Sequence, residues 1–275
     1  PVLQAYQHAS AVRLVIGHAD NRGLNNEVAM NIACYVLHVK KGYEDREKSI
    51  VEQFSALNMP FEWILDFDKD ELTPEILEKY TVCGPLNDAE ISCALKHISA
   101  WERIAQGPGE GAFVFEDDVL LDIKKFKTLA REALSEFRKR WGGFGYISLG
   151  NGCALYVPWT KRERNTRLYQ AEYVRAADSY WINRETAQTM VQWVMEKGIP
   201  LPADHLIDRI ATECEIPILW LEPTIANQGS HTGLFTSSIQ SLERGRFIDA
   251  LGWKVKIFRR KYLYPLLGID LRKAD

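Results

Sequence analysis

Three consecutive carboxylates, Glu116-Asp117-Asp118, follow directly on the apolar run Phe113-Val114-Phe115. Adjacent like charges repel, and next to a buried strand they call for a compensating cation. Alternate residues at the end of a strand point the same way, so Glu116 and Asp118 can converge on one ion. Hard oxygen ligands favour Mg²⁺ or Mn²⁺, completed by phosphate oxygens and water. Such a cation would neutralise a departing diphosphate. The competing reading is an acidic turn capping a helix that starts near Asp122. A second candidate is Asp204, which follows Pro200 and Pro202 and opens a helical pattern. It reads equally as a helix cap, since Asp is favoured there for local reasons, and as a carboxylate available for proton transfer.

These residues need a scaffold, and the hydrophobic pattern supplies one. Cys34 to Val39, Phe61 to Leu65, Ala112 to Phe115, Tyr146 to Leu149, Ser179 to Asn183 and Ile216 to Leu221 read as buried strands. Between them, Glu44 to Leu57 places Ile50, Val51, Phe54 and Leu57 on one face, and Pro74 opens a short helix. Asn87 to Ala105 carries an N-cap at Asn87, a capping-box partner at Glu90, and an apolar stripe through Ile91, Leu95, Ile98 and Trp101. Lys124 to Trp141, Arg184 to Lys197 and Asp204 to Thr212 complete the helices. The Arg-rich stretch 159–172 reads as a mobile loop. Alternating strands and helices predict an α/β fold with a mixed, mostly parallel sheet flanked by helices.

The chain has 275 residues, 46% hydrophobic and 26% charged, which suits a folded globular protein. A net charge of −3 provides no basic field for nucleic acid. Five scattered cysteines without zinc spacing read as reduced core thiols. There is no uninterrupted apolar stretch of transmembrane length and no secretory signal pattern, so the expected compartment is the cytoplasm, with a peripheral seat on the inner face of the membrane as an option. Residues 1–33 are expected to lie outside the fold, with 1–29 an upstream extension ahead of Met30. A catalytic domain is expected over 34–240 and a basic, aromatic segment over 241–275. Within that segment, residues 243–264 interleave seven Lys and Arg with Phe247, Trp253, Phe258, Tyr262 and Tyr264. That mixture suits an anionic membrane surface, or else a helix docked on the domain by its aromatics.

Four ordered segments resemble glycosyltransferase family 25. They are Tyr35 to Val39 with Asp45-Arg46; Ala89 to His97 continuing through Trp101-Glu102-Arg103-Ile104; Phe113 to Leu121; and Pro202 to Ile207, preceded by Ser179 to Asn183. The sequence departs from the family pattern at Ala89 and Ser92, where glycine is usual, and at Lys96, where serine is usual. The resemblance implies a GT-A type, Rossmann-like fold. It also implies a UDP-sugar donor, most often UDP-galactose, and inverting transfer of a hexose to a hydroxyl of a glycan acceptor such as lipooligosaccharide.

On that basis Glu116 and Asp118 are the expected metal ligands, with His231 a further one from the C-terminal side. Asp204 is the expected catalytic base. Arg46, Glu90, His97 and Asp117 are the expected donor-binding residues. Local readings stand beside these: Glu90 is explained by its capping box, His97 by the apolar stripe, Arg46 by a solvated surface and His231 by a loop. Two other functions compete. A metal-dependent nucleotidyl- or phosphotransferase would want a Gly-rich phosphate loop, and Lys40-Lys41-Gly42-Tyr43 is not one. A non-catalytic sugar-nucleotide or glycan-binding protein would not require Glu116, Asp118 and Asp204 together.

Overall fold

A computed structural model describes residues 32–81, 84–229, 252 and 255–269. Its centre is a seven-stranded sheet. In chain order the strands are β1 (Ala33–Leu37), β2 (Glu62–Ile64), β3 (Gly111–Glu116), β5 (Tyr146–Ser148), β6 (Leu168–Ala171), β7 (Ser179–Asn183) and β8 (Ile218–Leu221). They lie in the order β2-β1-β3-β7-β5-β8-β6. Strands β1, β2 and β3 are mutually parallel, as are β5 and β8, while β7 and β6 run antiparallel to their neighbours. A two-stranded ribbon pairs β4 (Val119–Leu121) with β9 (Ala226–Gln228).

Side chains alternate across the sheet with the period of two that extended backbone imposes. Cys34, Val36, Phe113, Phe115, Ile147, Trp181, Leu219 and Leu221 face one apolar layer. Helices α1 (Glu44–Ala56) and α4 (Phe126–Trp141) close that layer with Ile50, Phe54, Phe126, Leu134 and Phe137. Leu37, Val114, Tyr146, Tyr180, Ile182 and Ile218 face the other. It is covered by α3 (Asp88–Gln106), α5 (Arg184–Lys197) and α6 (Ala203–Glu213). The short α2 (Pro74–Lys79) has Thr73 as its cap and proline in its first turn. Helix α3 begins as the sequence predicts: Asn87 accepts from the amides of Ala89 and Glu90, and Glu90 accepts from the Asn87 amide at 2.9 Å. The mixed, mostly parallel sheet flanked by helices is the architecture expected from the sequence.

The stretch 159–172 differs from expectation. Its last part is β6, an edge strand paired with β8, and Leu168 is completely buried. The arginines that suggested a solvated loop are tied to carboxylates elsewhere: Arg162 to Glu222 at 2.8 Å and Arg167 to Glu132 at 2.6 Å. Charged residues flanking an edge strand also protect it from pairing with another chain.

Strand β1 opens at Ala33, and residues 1–31, with the expectation of an extension there, lie outside the described residues. The C-terminal segment is helical over 255–266 and is anchored by Arg260, whose guanidinium donates to the Cys153 carbonyl at 2.8 Å, and by buried Tyr264. Phe258, Leu266 and Leu267 remain exposed on it. Among the described residues no helix is long and apolar enough to cross a membrane. Cys34, Cys93, Cys153 and Cys214 are free thiols, and Cys83 lies outside the described residues.

If β6 belongs to the packed fold, Leu168→Ala lowers stability by about 2–5 kcal/mol, the cost of emptying a buried leucine site. Urea unfolding measures it, and a change near zero would return this stretch to a loop.

Candidate functional site

The carboxyl ends of β1 and β3 open into a cavity of about 620 Å³. In parallel sheets this is where ligands bind, because loops leaving neighbouring strands diverge there. Its lining carries Glu116, Asp117 and Asp118, the cations Lys40, Lys41, Lys69 and Lys96, and the further carboxylates Asp68, Asp70 and Glu71, with Lys40 paired to Glu71 and Lys96 to Asp68. A cavity lined by both carboxylates and ammonium groups suits a phosphate-bearing ligand accompanied by a cation.

The three carboxylates are not equivalent. Asp117 is buried, accepting from Arg46 Nη1 at 2.6 Å and from His38 Nδ1 at 2.7 Å. Arg46 is itself buried, with its guanidinium 4.6 Å from the Tyr43 ring centroid. One negative charge of the triplet is thus compensated within the protein. Arg46 lines the cavity but is engaged by Asp117, so the two expected donor contacts bind each other.

Glu116 turns the other way. Its Oε1 lies 3.5 Å from His97 Nε2, at the end of a buried chain of polar groups. Trp101 Nε1 donates to the Tyr180 hydroxyl at 2.8 Å, and that hydroxyl lies 3.0 Å from His97 Nδ1. The Tyr180 hydroxyl thus bridges Trp101 and His97 Nδ1, and the other imidazole nitrogen, Nε2, faces Glu116. His97 is completely buried and stands behind Glu116, not on the cavity wall. Ligand atoms of Cys93, His97 and Glu116 all lie within 4.8 Å of one another. Burial, then the charges of Glu116 and Asp204, push the Cys93 thiol well above its ordinary range.

Sequence reasoning missed Asp178. It precedes β7, is 1% exposed, and accepts from the Ser179 hydroxyl at 3.0 Å. Burial, then the charges of Glu116 and Asp118, push its carboxyl up to about 8. Gly150 makes room for it, since a Cβ there would stand 2.3 Å from Asp178 Oδ2. The available signal was an acidic residue entering an otherwise apolar strand. At neutral pH the Asp178 carboxyl therefore stays protonated beside Glu116 and Asp118, which leaves those two as the carboxylates available to a hard divalent cation.

The other expected residues fall as follows. Asp204 lies in the first turn of α6, whose cap position is Pro202, so Asp204 is not the cap itself. Its carboxylate accepts from the His205 amide at 2.9 Å. Its charge reaches Cys93 on the cavity wall. Glu90 is taken up by its capping box. His231 lies outside the described residues, although the Gly229 amide donates to the Asp118 carbonyl at 2.7 Å and Gln228 lines the cavity. Two departures from the family pattern brace the wall. Ser92 Oγ donates to the Phe67 carbonyl at 2.6 Å, and Lys96 Nζ lies 2.7 Å from both Asp68 Oδ1 and the Asp66 carbonyl.

The profile of glycosyltransferase family 25 (LPS biosynthesis protein) matches residues 31–207. A Haemophilus influenzae KW20 Rd protein, whose name assigns it glycosyltransferase activity by inference, is 34% identical over 103 residues, covering 34% of this chain and 35% of that protein. The lipooligosaccharide biosynthesis protein lic2B of Haemophilus influenzae is 29% identical over 101 residues, covering 36% and 38%. The chain thus spans little more than a third of the length of these curated relatives. A glycosyltransferase involved in glycosylation of the major capsid of PBCV-1 aligns with a TM-score of 0.40 at 10% identity, over 82% of this chain and 98% of that one.

Two outcomes follow from the buried groups. Tyr180→Phe strands the Trp101 indole donor and is expected to cost about 1–3 kcal/mol, read by urea unfolding. The second concerns pH. Because the folded-state value of Asp178 is raised from 3.8 to about 8, its contribution to stability is complete below its ordinary value and is lost as pH rises through the folded value. With EDTA present, the melting temperature should fall across that window, and Asp178→Asn should flatten the decline. Equal slopes in the two proteins would refute it.

Proposed function

This chain belongs to glycosyltransferase family 25, and we propose that it moves a hexose, galactose in the first instance, from a UDP-sugar to a hydroxyl of a glycan acceptor of the lipooligosaccharide or lipopolysaccharide type. The observation that carries this reading is the cavity at the ends of β1 and β3, whose lining brings Glu116 and Asp118 together with Lys40, Lys41 and Lys69. That charge pattern suits a diphosphate brought in with a divalent cation. The names of the relatives support the acceptor class.

Glu116 and Asp118 would hold Mn²⁺ or Mg²⁺ within a GT-A type site. The bound cation supplies positive charge against the leaving diphosphate. Arg46, through its pair with Asp117, fixes the acidic turn against α1, and the surrounding lysines receive phosphate oxygens. Asp204 serves as the base: it takes the proton of the acceptor hydroxyl while that oxygen forms its bond to the anomeric carbon opposite the departing UDP, with inversion. The segment 255–269 supports a peripheral seat on an anionic membrane, since Lys256, Arg259 and Lys261 accompany the exposed Val255, Phe258 and Leu266.

The test is UDP release from UDP-galactose, UDP-glucose and UDP-N-acetylglucosamine, with acceptor oligosaccharide, in Mn²⁺ or EDTA. Turnover is expected with UDP-galactose and Mn²⁺ and is abolished by EDTA. Glu116→Gln and Asp118→Asn should each lower kcat about 100-fold or more. Asp204→Asn should lower it by about 10²–10⁴ at unchanged donor KM. Turnover indifferent to EDTA removes the metal role, and full activity of Asp204→Asn removes the base.

A further inference from the structure

A second cavity, of about 650 Å³, lies at the opposite edge of the sheet and shares no lining residue with the first. Four aromatic residues line it, Tyr156, Tyr169, Tyr173 and Trp220, with Thr160 and Gln170 beside them. Tyr169 and Trp220 are direct cross-strand partners on β6 and β8. They stand on the same sheet face as Ile218, whereas Leu168, Leu219 and Leu221 point into the layer under α4.

The rings are held in place. The Trp220 indole donates to the Tyr173 carbonyl at 2.8 Å, and the buried Arg175 guanidinium lies 4.4 Å from the Trp220 ring centroid. Arg175 is in turn paired with Glu222. The Tyr169 hydroxyl accepts from the Glu163 amide at 2.9 Å. These rings therefore form a platform whose orientation is set before any ligand arrives.

We infer that this cavity binds carbohydrate, as a subsite for a part of the glycan acceptor distant from the transferred sugar. The inference rests on the glycosyltransferase reading for the identity of the glycan, and on the cavity's own chemistry for the ligand class. One face of a pyranose is a patch of C–H groups with slight positive charge, which complements the negative face of an aromatic ring. Its hydroxyls require neutral donors and acceptors of the kind offered by the hydroxyls of Thr160 and Tyr156. Among the described residues the charged members of the lining are one lysine and one glutamate, Lys161 and Glu172, with no cationic cluster for phosphate. Its volume lies in the range of ordinary ligand sites. In the sheet order, three inter-strand steps separate β3 from β8, about 14 Å. An occupant here is consequently several sugar units from the reacting hydroxyl.

The experiment uses the full chain and Tyr169→Ala, with intrinsic tryptophan fluorescence read during titration with delipidated oligosaccharide released from lipooligosaccharide. UDP titration of both proteins monitors the first cavity independently. Tyr169→Ala should bind the oligosaccharide about 10-fold more weakly while binding UDP like the parent. A Thr160→Ala variant, which removes an exposed side chain and no core packing, should weaken oligosaccharide binding in the same direction. Oligosaccharide binding that is absent, or equal in all three proteins, overturns the subsite. Failure of UDP to bind while the oligosaccharide result holds would count against the donor reading alone.

Discussion

Asp117 joins three separate stretches of chain by accepting from Arg46 on α1 and from His38 just beyond β1. A carboxylate buried this way is stable only while both partners stay in place, because breaking one side leaves an uncompensated interior charge worth about 3–5 kcal/mol. The turn after β3 therefore cannot shift without moving α1 and the end of β1 with it. That rigidity divides the acidic triplet. Asp117 is committed inward, Glu116 is turned toward His97, and Asp118 is fixed through the backbone by the Gly229 amide. The negative charge left for a ligand is thereby concentrated on Glu116 and Asp118.

The two sides of the sheet contribute differently to this arrangement. Strand β7 enters between β3 and β5 and brings Tyr180 under His97 and Asp178 under Glu116. Without that antiparallel insertion the acidic turn would have no buried support from behind. Helix α3 supplies the other half, since His97 and Trp101 are one helical turn apart and both reach Tyr180.

Much of the scaffold was legible in the sequence because it is written in local patterns. The capping box at Asn87, the apolar stripe of α3 and the strand before Glu116 are each decided within a few residues. What was not legible depends on distant pairing. The separate fates of Glu116 and Asp117 follow from Arg46, His38 and His97, none of which is a sequence neighbour. Asp178 acquires its meaning only when β7 lies against β3. Strand β6 was hidden because the arginines around it suggest solvent until Glu132 and Glu222 are seen beside them. The ribbon of β4 and β9 joins segments more than 100 residues apart in three-residue strands, too short for any periodicity.

Lys96 adds a constraint on how the cavity wall can change. The family pattern places serine at this position, whereas here a lysine crosses to Asp68 and the Asp66 carbonyl, almost fully removed from water. Burial lowers its pKa, and Asp68 acts against that loss. The order of exchange therefore matters: a lysine arriving before its aspartate would be a desolvated, unmatched cation. An aspartate arriving first could still be hydrated beside a short serine. The chemistry thus imposes an order on substitutions at positions 68 and 96, the carboxylate before the cation.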